Sequence, residues 1–166
     1  MIEYRVTKYD PALRDSVGSY VPVEWTSVTD IGSAFTGGTL TPAIYQTVED
    51  AYVSAAILFM EEAQQSSLKI EGLESMRSTA VPPAQTISVS ALDPVLRSLL
   101  REEYWCRLEG SKSFIHIGWD YYMYVGVPIR CPKAEAAASK LGLFVEPFLS
   151  PYRTRRPSDH PTHVSN

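Results

Sequence analysis

Cysteine is scarce in this chain of 166 residues: Cys106 and Cys131 are the only two, and they make neither a CxxC pair nor a disulfide framework. Histidine is nearly as rare. His116, His160 and His163 come without HExxH or CxxC spacing, which argues against a metal site. No GxGxxG or GxxxxGK pattern cradles a phosphate, and Gly37-Gly38 belongs to neither; GxSxG, the strained nucleophile turn of many hydrolases, is missing too. No apolar run approaches the ~20 residues that cross a bilayer. The most apolar stretch, 51–60, is interrupted by Ser54 and closed by Glu61 and Glu62. The opening Met1-Ile2-Glu3-Tyr4-Arg5 lacks the basic-then-apolar order of a secretory leader. These absences predict a reduced, soluble, cytoplasmic protein with no cofactor, no metal and no membrane partner.

What is present is an uneven charge. The whole chain carries 15 basic and 19 acidic residues, a formal −4. Setting aside the last seventeen residues, 150–166, with Arg153, Arg155 and Arg156 against Asp159, leaves 12 basic and 18 acidic residues and a body of −6. Such a body is a poor non-specific ligand of nucleic acid, whose binding rests on Lys and Arg releasing counterions. It suits a basic protein partner or simple solubility.

The pattern of elements predicts one α+β domain over 1–150, an antiparallel sheet with about three helices, and a mobile, basic, Pro-rich tail over 151–166. Residues 1–8 alternate as a strand that Tyr9-Asp10-Pro11 ends. Residues 12–40 resist assignment, and a connection of that length is often functional. Thr41 as cap and Pro42 at the first position open a helix to about residue 64. Its inward stripe is Ile44, Val48, Ala51, Tyr52, Ala55, Leu58 and Phe59, and its polar face includes Gln46, Glu49 and Asp50. A short strand at Leu68 and Ile70 turns at Gly72, and 75–89 reads as an internal linker. Asp93 then caps a second helix ending near Glu103, and Pro132 and Gly142 bound a third. Leu143-Phe144-Val145 is a last strand, weakened by Pro147.

Residues 104–128 read as a three-strand meander. A turn centred on Ser111 pairs residues whose numbers sum to 222, and a turn near Asp120 pairs those summing to about 240. Trp105, Arg107, Ile115, Ile117, Met123, Val125 and Val127 then share the core face. Tyr104, Cys106, Leu108, Phe114, His116, Tyr122 and Tyr124 share an outer aromatic face. This register sets Cys106 opposite His116, an imidazole beside a thiol as in cysteine hydrolases, although no orienting Asn or Asp shares that face. The competing reading is a packed cysteine and a histidine bonded to a tyrosine hydroxyl. Glu24, Asp30, Glu102, Glu103 and Asp120 lie beside aromatics or at element ends. A pair of them would serve acid–base hydrolysis at roughly 5–9.5 Å separation. Capping and ion pairs to Arg97, Arg101 or Arg107 are the plainer roles, and carboxylates beside Trp and Tyr also suit recognition of a basic protein.

Five blocks carry a resemblance: YRVTKYDP at 4–11, EWTSVTDIG at 24–32, LREEYWCRL at 100–108, FIHIGWDYYMYVG at 114–126 and GLFVEPFLSPY at 142–152. Together they resemble a set of small uncharacterised bacterial proteins, some of which are similar to the immunity proteins of polymorphic toxin systems. The resemblance spans nearly the whole chain except 75–89 and the ending after Tyr152. It implies a cytoplasmic protein that binds and neutralises a co-encoded toxin without chemistry of its own. With the charge and the tyrosines, this predicts contact with a basic toxin domain, such as a nuclease, through Glu24, Trp25, Asp30, Glu102, Glu103, Asp120, Tyr121 and Tyr122. The alternatives are a small hydrolase using Cys106 and His116 or a carboxylate pair, and a structural homodimer joined through the aromatic sheet face.

Overall fold

Strand β1 (Ile2–Thr7) follows its alternation and ends where Asp10 accepts the Ala12 amide, opening a single 3-10 turn at Pro11–Leu13. The computed structural model describes residues 1–75, 82 and 84–153. The connection after β1 is ordered in short pieces. Arg14 bridges Tyr20, a second 3-10 turn covers Val28–Asp30, and β2 (Ala34–Phe35) and β3 (Gly38–Thr39) form a small hairpin.

Helix α1 (Pro42–Glu62) starts as its sequence predicts, with Thr41 Oγ1 accepting the Ile44 amide at 3.2 Å and Pro42 in the first turn. Ala51, Tyr52, Ala55 and Phe59 point into the core, whereas Ile44, expected there, is exposed. Strand β4 runs over Ser67–Ser75, so Gly72 does not end it. Gly72, at φ 64°, sits in a register shift between Glu71 and Glu74, where the strand kinks and continues. The predicted linker is partly sheet as well, since β5 (Thr86–Ser88) pairs with β4; residues 76–81 and 83 lie outside the described residues. Helix α2 (Leu92–Leu100) begins one residue before Asp93. Asp93 therefore does not cap it, and its carboxylate pairs with Arg97 at 2.8 Å instead. Strands β6 (Tyr104–Glu109), β7 (Phe114–Ile117) and β8 (Met123–Val127) form the predicted meander. Helix α3 (Pro132–Lys140) and edge strand β9 (Phe144–Pro147) follow. Pro147 stands last in that edge strand, where its missing N–H costs least.

Among the described residues the fold is α+β: three helices and a seven-stranded antiparallel sheet in the order β5-β4-β6-β7-β8-β1-β9. The helices lie on one face of the sheet, α1 touching α2, α3 and β8.

The first hairpin corrects the expected register. Gly110 N–H donates to Ser113 O at 2.7 Å, which leaves a two-residue loop, Ser111-Lys112. Leu108 pairs with Ile115 and Glu109 with Phe114, so partners sum to 223 rather than 222. A one-residue slip exchanges the faces of a whole strand. Tyr104, Cys106 and Leu108 therefore enter the core beneath the helices, while Trp105 and Arg107 join the aromatic side. The second hairpin is paired as expected, with His116 opposite Tyr124 and Ile117 opposite Met123.

The polar face assigned to α1 needs one correction. Glu49 is 0% exposed and holds two arginines of α2 and its C-terminus. Arg101 grips it with Nε and Nη2, each at 2.7 Å, and Arg97 Nη1 reaches it at 2.8 Å while also bonding Asp50; Nε and Nη2 of Arg97 bond Asp93. A buried carboxylate left without its cations costs several kcal/mol, so this cluster locks α2 to α1. Glu49→Gln keeps the volume and removes the charge. Urea unfolding is expected to show a loss of about 3 kcal/mol, toward the lower end for a broken buried pair because the arginines keep some water. Glu61→Gln, on the exposed side of the same helix, is expected to stay within about 0.5 kcal/mol. Equal costs for the two would show that the helices do not depend on this charge.

Candidate functional site

The site grows from the turn between β7 and β8. Tyr121 adopts φ 62°, a left-handed backbone that a bulky residue enters only when its surroundings compel it. Two phenols supply the compulsion. Tyr9, just past β1, donates to Asp120 O at 2.9 Å, and Tyr52, on α1, donates to Tyr121 O at 2.8 Å while accepting the Lys8 amide at 2.8 Å. Tyr9 OH also lies 3.2 Å from Trp25 O, so the same ring fixes the loop of residues in the twenties. The twisted turn sends Tyr121 inward against Trp25, Tyr45 and Tyr52, with ring centroids 4.9–6.2 Å apart. It leaves Asp120 and Tyr122 outside.

The result is an open cleft of about 420 Å³. Tyr9, Tyr20 and Tyr122 are its aromatic lining, Glu24, Asp120 and Arg5 its charged groups, and Gly18, Ser19, Pro22 and Thr26 its rim. The Tyr9 ring stands 4.9 Å from Tyr20 and 5.1 Å from Tyr122. Arg5 is not free: Glu146 accepts from its Nε at 2.9 Å and takes both terminal nitrogens of Arg14 as well. Hydrogen bonds from Arg14 first, then from Arg5, hold the Glu146 carboxyl down at about 2. Behind the cleft Lys8 is nearly enclosed. Its ammonium lies 4.1 Å from the ring centres of both Tyr9 and Trp25 and 3.5 Å from Glu24. Burial pulls Lys8 down to about 8 against the opposing pull of Glu24. Burial raises the Tyr20 phenol, and the carboxylates Glu24 and Asp10 push it the same way.

Of the eight residues nominated from sequence, Glu24, Asp120 and Tyr122 meet in this cleft. Trp25, 5% exposed, and Tyr121, 2% exposed, face the interior and offer no surface to a partner. Asp30 is committed locally, accepting the Thr26 and Ser27 amides at 2.9 and 3.1 Å in a capping box. Glu102, at φ 57°, accepts from Ser27 Oγ at 3.1 Å, which joins the end of α2 to the same loop. Glu103 accepts from Ser98 Oγ at 2.7 Å. Tyr9 and Tyr20 were not nominated. Tyr9 lies in a block already quoted, but only the fold shows that the strand end and the second turn converge.

The proposed Cys106–His116 pair does not exist. Cys106 belongs to the core, where burial pushes its thiol up to about 12, and His116 belongs to the opposite face. There His116 is 0% exposed, stacked on Phe114 at 4.3 Å. Its Nε2 lies 2.8 Å from Glu109 and its Nδ1 2.7 Å from Ser150 Oγ, neither of them the expected tyrosine hydroxyl. Serine, histidine and glutamate in series have the composition of a hydrolytic triad, but a nucleophile must face its substrate. Ser150 Oγ is buried and also accepts the Tyr152 amide at 3.2 Å, so the series serves to fasten the C-terminal segment to β7. Tyr152 packs against Trp105, His116 and Tyr124, and Arg153 pairs with buried Glu3. The aromatic face proposed for a homodimer is thus covered by the chain's own residues 148–153. Of the predicted tail, 151–153 are held in this way, and 154–166 lie outside the described residues.

Among the described residues no three His, Cys, Asp or Glu side chains stand together as metal ligands, and no helix is long and apolar enough to cross a membrane. Comparison with protein families, with curated proteins and with solved structures finds no match for the chain.

Two measurements check this geometry. Iodoacetamide at mildly alkaline pH is expected to leave both cysteines unmodified in the native protein and to label both in urea, because burial raises Cys106 to about 12 and Cys131 to about 11. Rapid native labelling of Cys106 would restore it as a nucleophile. The lowered Glu146 carboxyl contributes stability that is complete above its ordinary value of 4.5 and is lost as pH falls toward about 2. Glu146→Gln is expected to flatten the loss of stability across that acid window. An unchanged acid profile would remove Glu146 as the anchor of Arg5 and Arg14.

Proposed function

We propose that this protein is an immunity-like antagonist, which binds a co-encoded toxin domain by direct contact and works in the cytoplasm that it protects. The observation that carries the reading is the tyrosine-lined cleft flanked by Glu24 and Asp120, an exposed concavity that joins aromatic area to negative charge. Tyrosine supplies contact area at low entropic cost, and carboxylates at the edge steer a basic partner and select its orientation. The acidic body and the five sequence blocks support the same reading. Nuclease toxins carry basic surfaces for phosphate, and an acidic face fits such a partner.

Purification with the toxin domain encoded beside this gene, followed by charge reversal, tests the proposal. Asp120→Lys is expected to weaken binding by about tenfold, chiefly through slower association, and to reduce its salt dependence. Unchanged affinity and unchanged salt dependence would discard this face as the contact.

A further inference from the structure

Asp120 is an unspent charge. Among the described residues its carboxylate accepts only the Tyr122 amide, at 3.3 Å, and pairs with no cation, whereas Glu24 already meets Lys8. The rings between these carboxylates are ones on which cations already settle in this protein. Lys8 lies 4.1 Å from the Tyr9 centroid, and the Arg5 guanidinium lies 4.9 Å from that of Tyr122. Arg5 and Arg14 share the one carboxylate of Glu146, which leaves a single positive charge at that edge, outweighed by Asp120 with Asp10 nearby.

We propose that the cleft is a cage for one arginine side chain of a protein partner, its guanidinium lying against Tyr20 and Tyr122 over the floor of Tyr9, with its charge met by Asp120 and Glu24. The chemistry favours arginine over lysine. A planar, weakly hydrated guanidinium loses less on leaving water and offers a face to stack, while an ammonium is a strongly hydrated point charge. Tilted rings about 5 Å apart, with negative charge at the edges, suit the former.

This rests on the binding-protein reading but fails separately from it. The test titrates the intact protein with N-acetyl-arginine methylamide, its lysine counterpart and the neutral citrulline isostere, following the tyrosine ring protons by NMR. Arginine is expected to shift the Tyr20 and Tyr122 rings saturably, lysine to bind several-fold more weakly, and citrulline to give no saturable shift. Asp120→Asn, an exposed substitution whose folding is checked by its unfolding midpoint, is expected to weaken the arginine response several-fold. Absence of a saturable arginine shift, or an equal response to citrulline, overturns the cage. So does a partner domain whose affinity is unmoved by saturating arginine amide, and in that case the binding protein stands. Arginine binding in a protein that captures no neighbouring toxin upholds the cage and overturns the antagonist.

Discussion

The two-residue loop at Ser111-Lys112 governs what each face of the sheet can be. Closing the hairpin with the Gly110–Ser113 bond sets Leu108 against Ile115, and every assignment in β6 follows. Cys106 goes under the helices and is buried beyond reach of His116. Trp105 goes to the other side, where its indole donates to Ile117 O at 2.9 Å and its ring meets Tyr152. A three-residue turn would have reversed all of this, exposed Tyr104 and Leu108, and left the C-terminal segment with a different surface to cover. Gly126 belongs to the same constraint. It stands opposite Phe114, whose ring occupies the space a Cβ would need, and that ring stacks directly on His116. Chemistry at His116 is therefore closed off by packing from the β7–β8 pairing and by Glu109, which the loop length brings to that face.

A second constraint depends on the first, because β8 must run where β7 places it. The turn joining them is held by hydroxyls from two distant elements, Tyr9 after β1 and Tyr52 in α1. The left-handed residue Tyr121 costs on the order of 1–2 kcal/mol in backbone energy. Two hydrogen bonds to the turn, one buried and one partly buried, at about 1 kcal/mol each, together with a ring packed among Trp25, Tyr45 and Tyr52, offset it. Adjacent tyrosines consequently have opposite fates. Tyr121 completes the core, and Tyr122 lines the cleft.

The elements were legible where the signal was local. Thr41-Pro42, Pro132 with Gly142, the alternation of residues 2–7 and the turn near Asp120 all carry their chemistry within a few residues. What the sequence concealed depended on distance. The choice between two loop residues and three at 110–113 is one hydrogen bond, and it exchanges the faces of a strand. Glu49 has the pattern of a surface residue because its partners, Arg97 and Arg101, come from another helix. Trp25 and Asp30 look alike as members of a polar-aromatic block, yet one fills the core and the other caps a turn. The cleft was half visible for the same reason: its carboxylates stood out by charge, but Tyr9 and Tyr20 join them only through the meeting of three loops.

The acidic balance of the chain acquires a different meaning once its carboxylates are placed. Glu3, Glu49 and Glu146 are drawn into internal ion pairs, Glu109 is hydrogen-bonded to His116, and Glu62 caps α3 through the amides of Lys133 and Ala134. Their charge holds the fold together and projects little outward, since a paired, half-buried carboxylate is neutralised where it stands. Pairing leaves the net figure of the body unchanged, because each bonded carboxylate takes a cation out of the count with it, but it decides where the excess charge stands. The relevant charge is the residue of that internal pairing, and near the cleft it consists of Asp120 and Asp10, less the one positive charge left where Arg5 and Arg14 share Glu146, beside a Glu24 shared with Lys8. Selectivity for a cation at this point then comes from geometry as much as from charge: two carboxylate edges matter there because three tyrosine rings give the cation somewhere to lie.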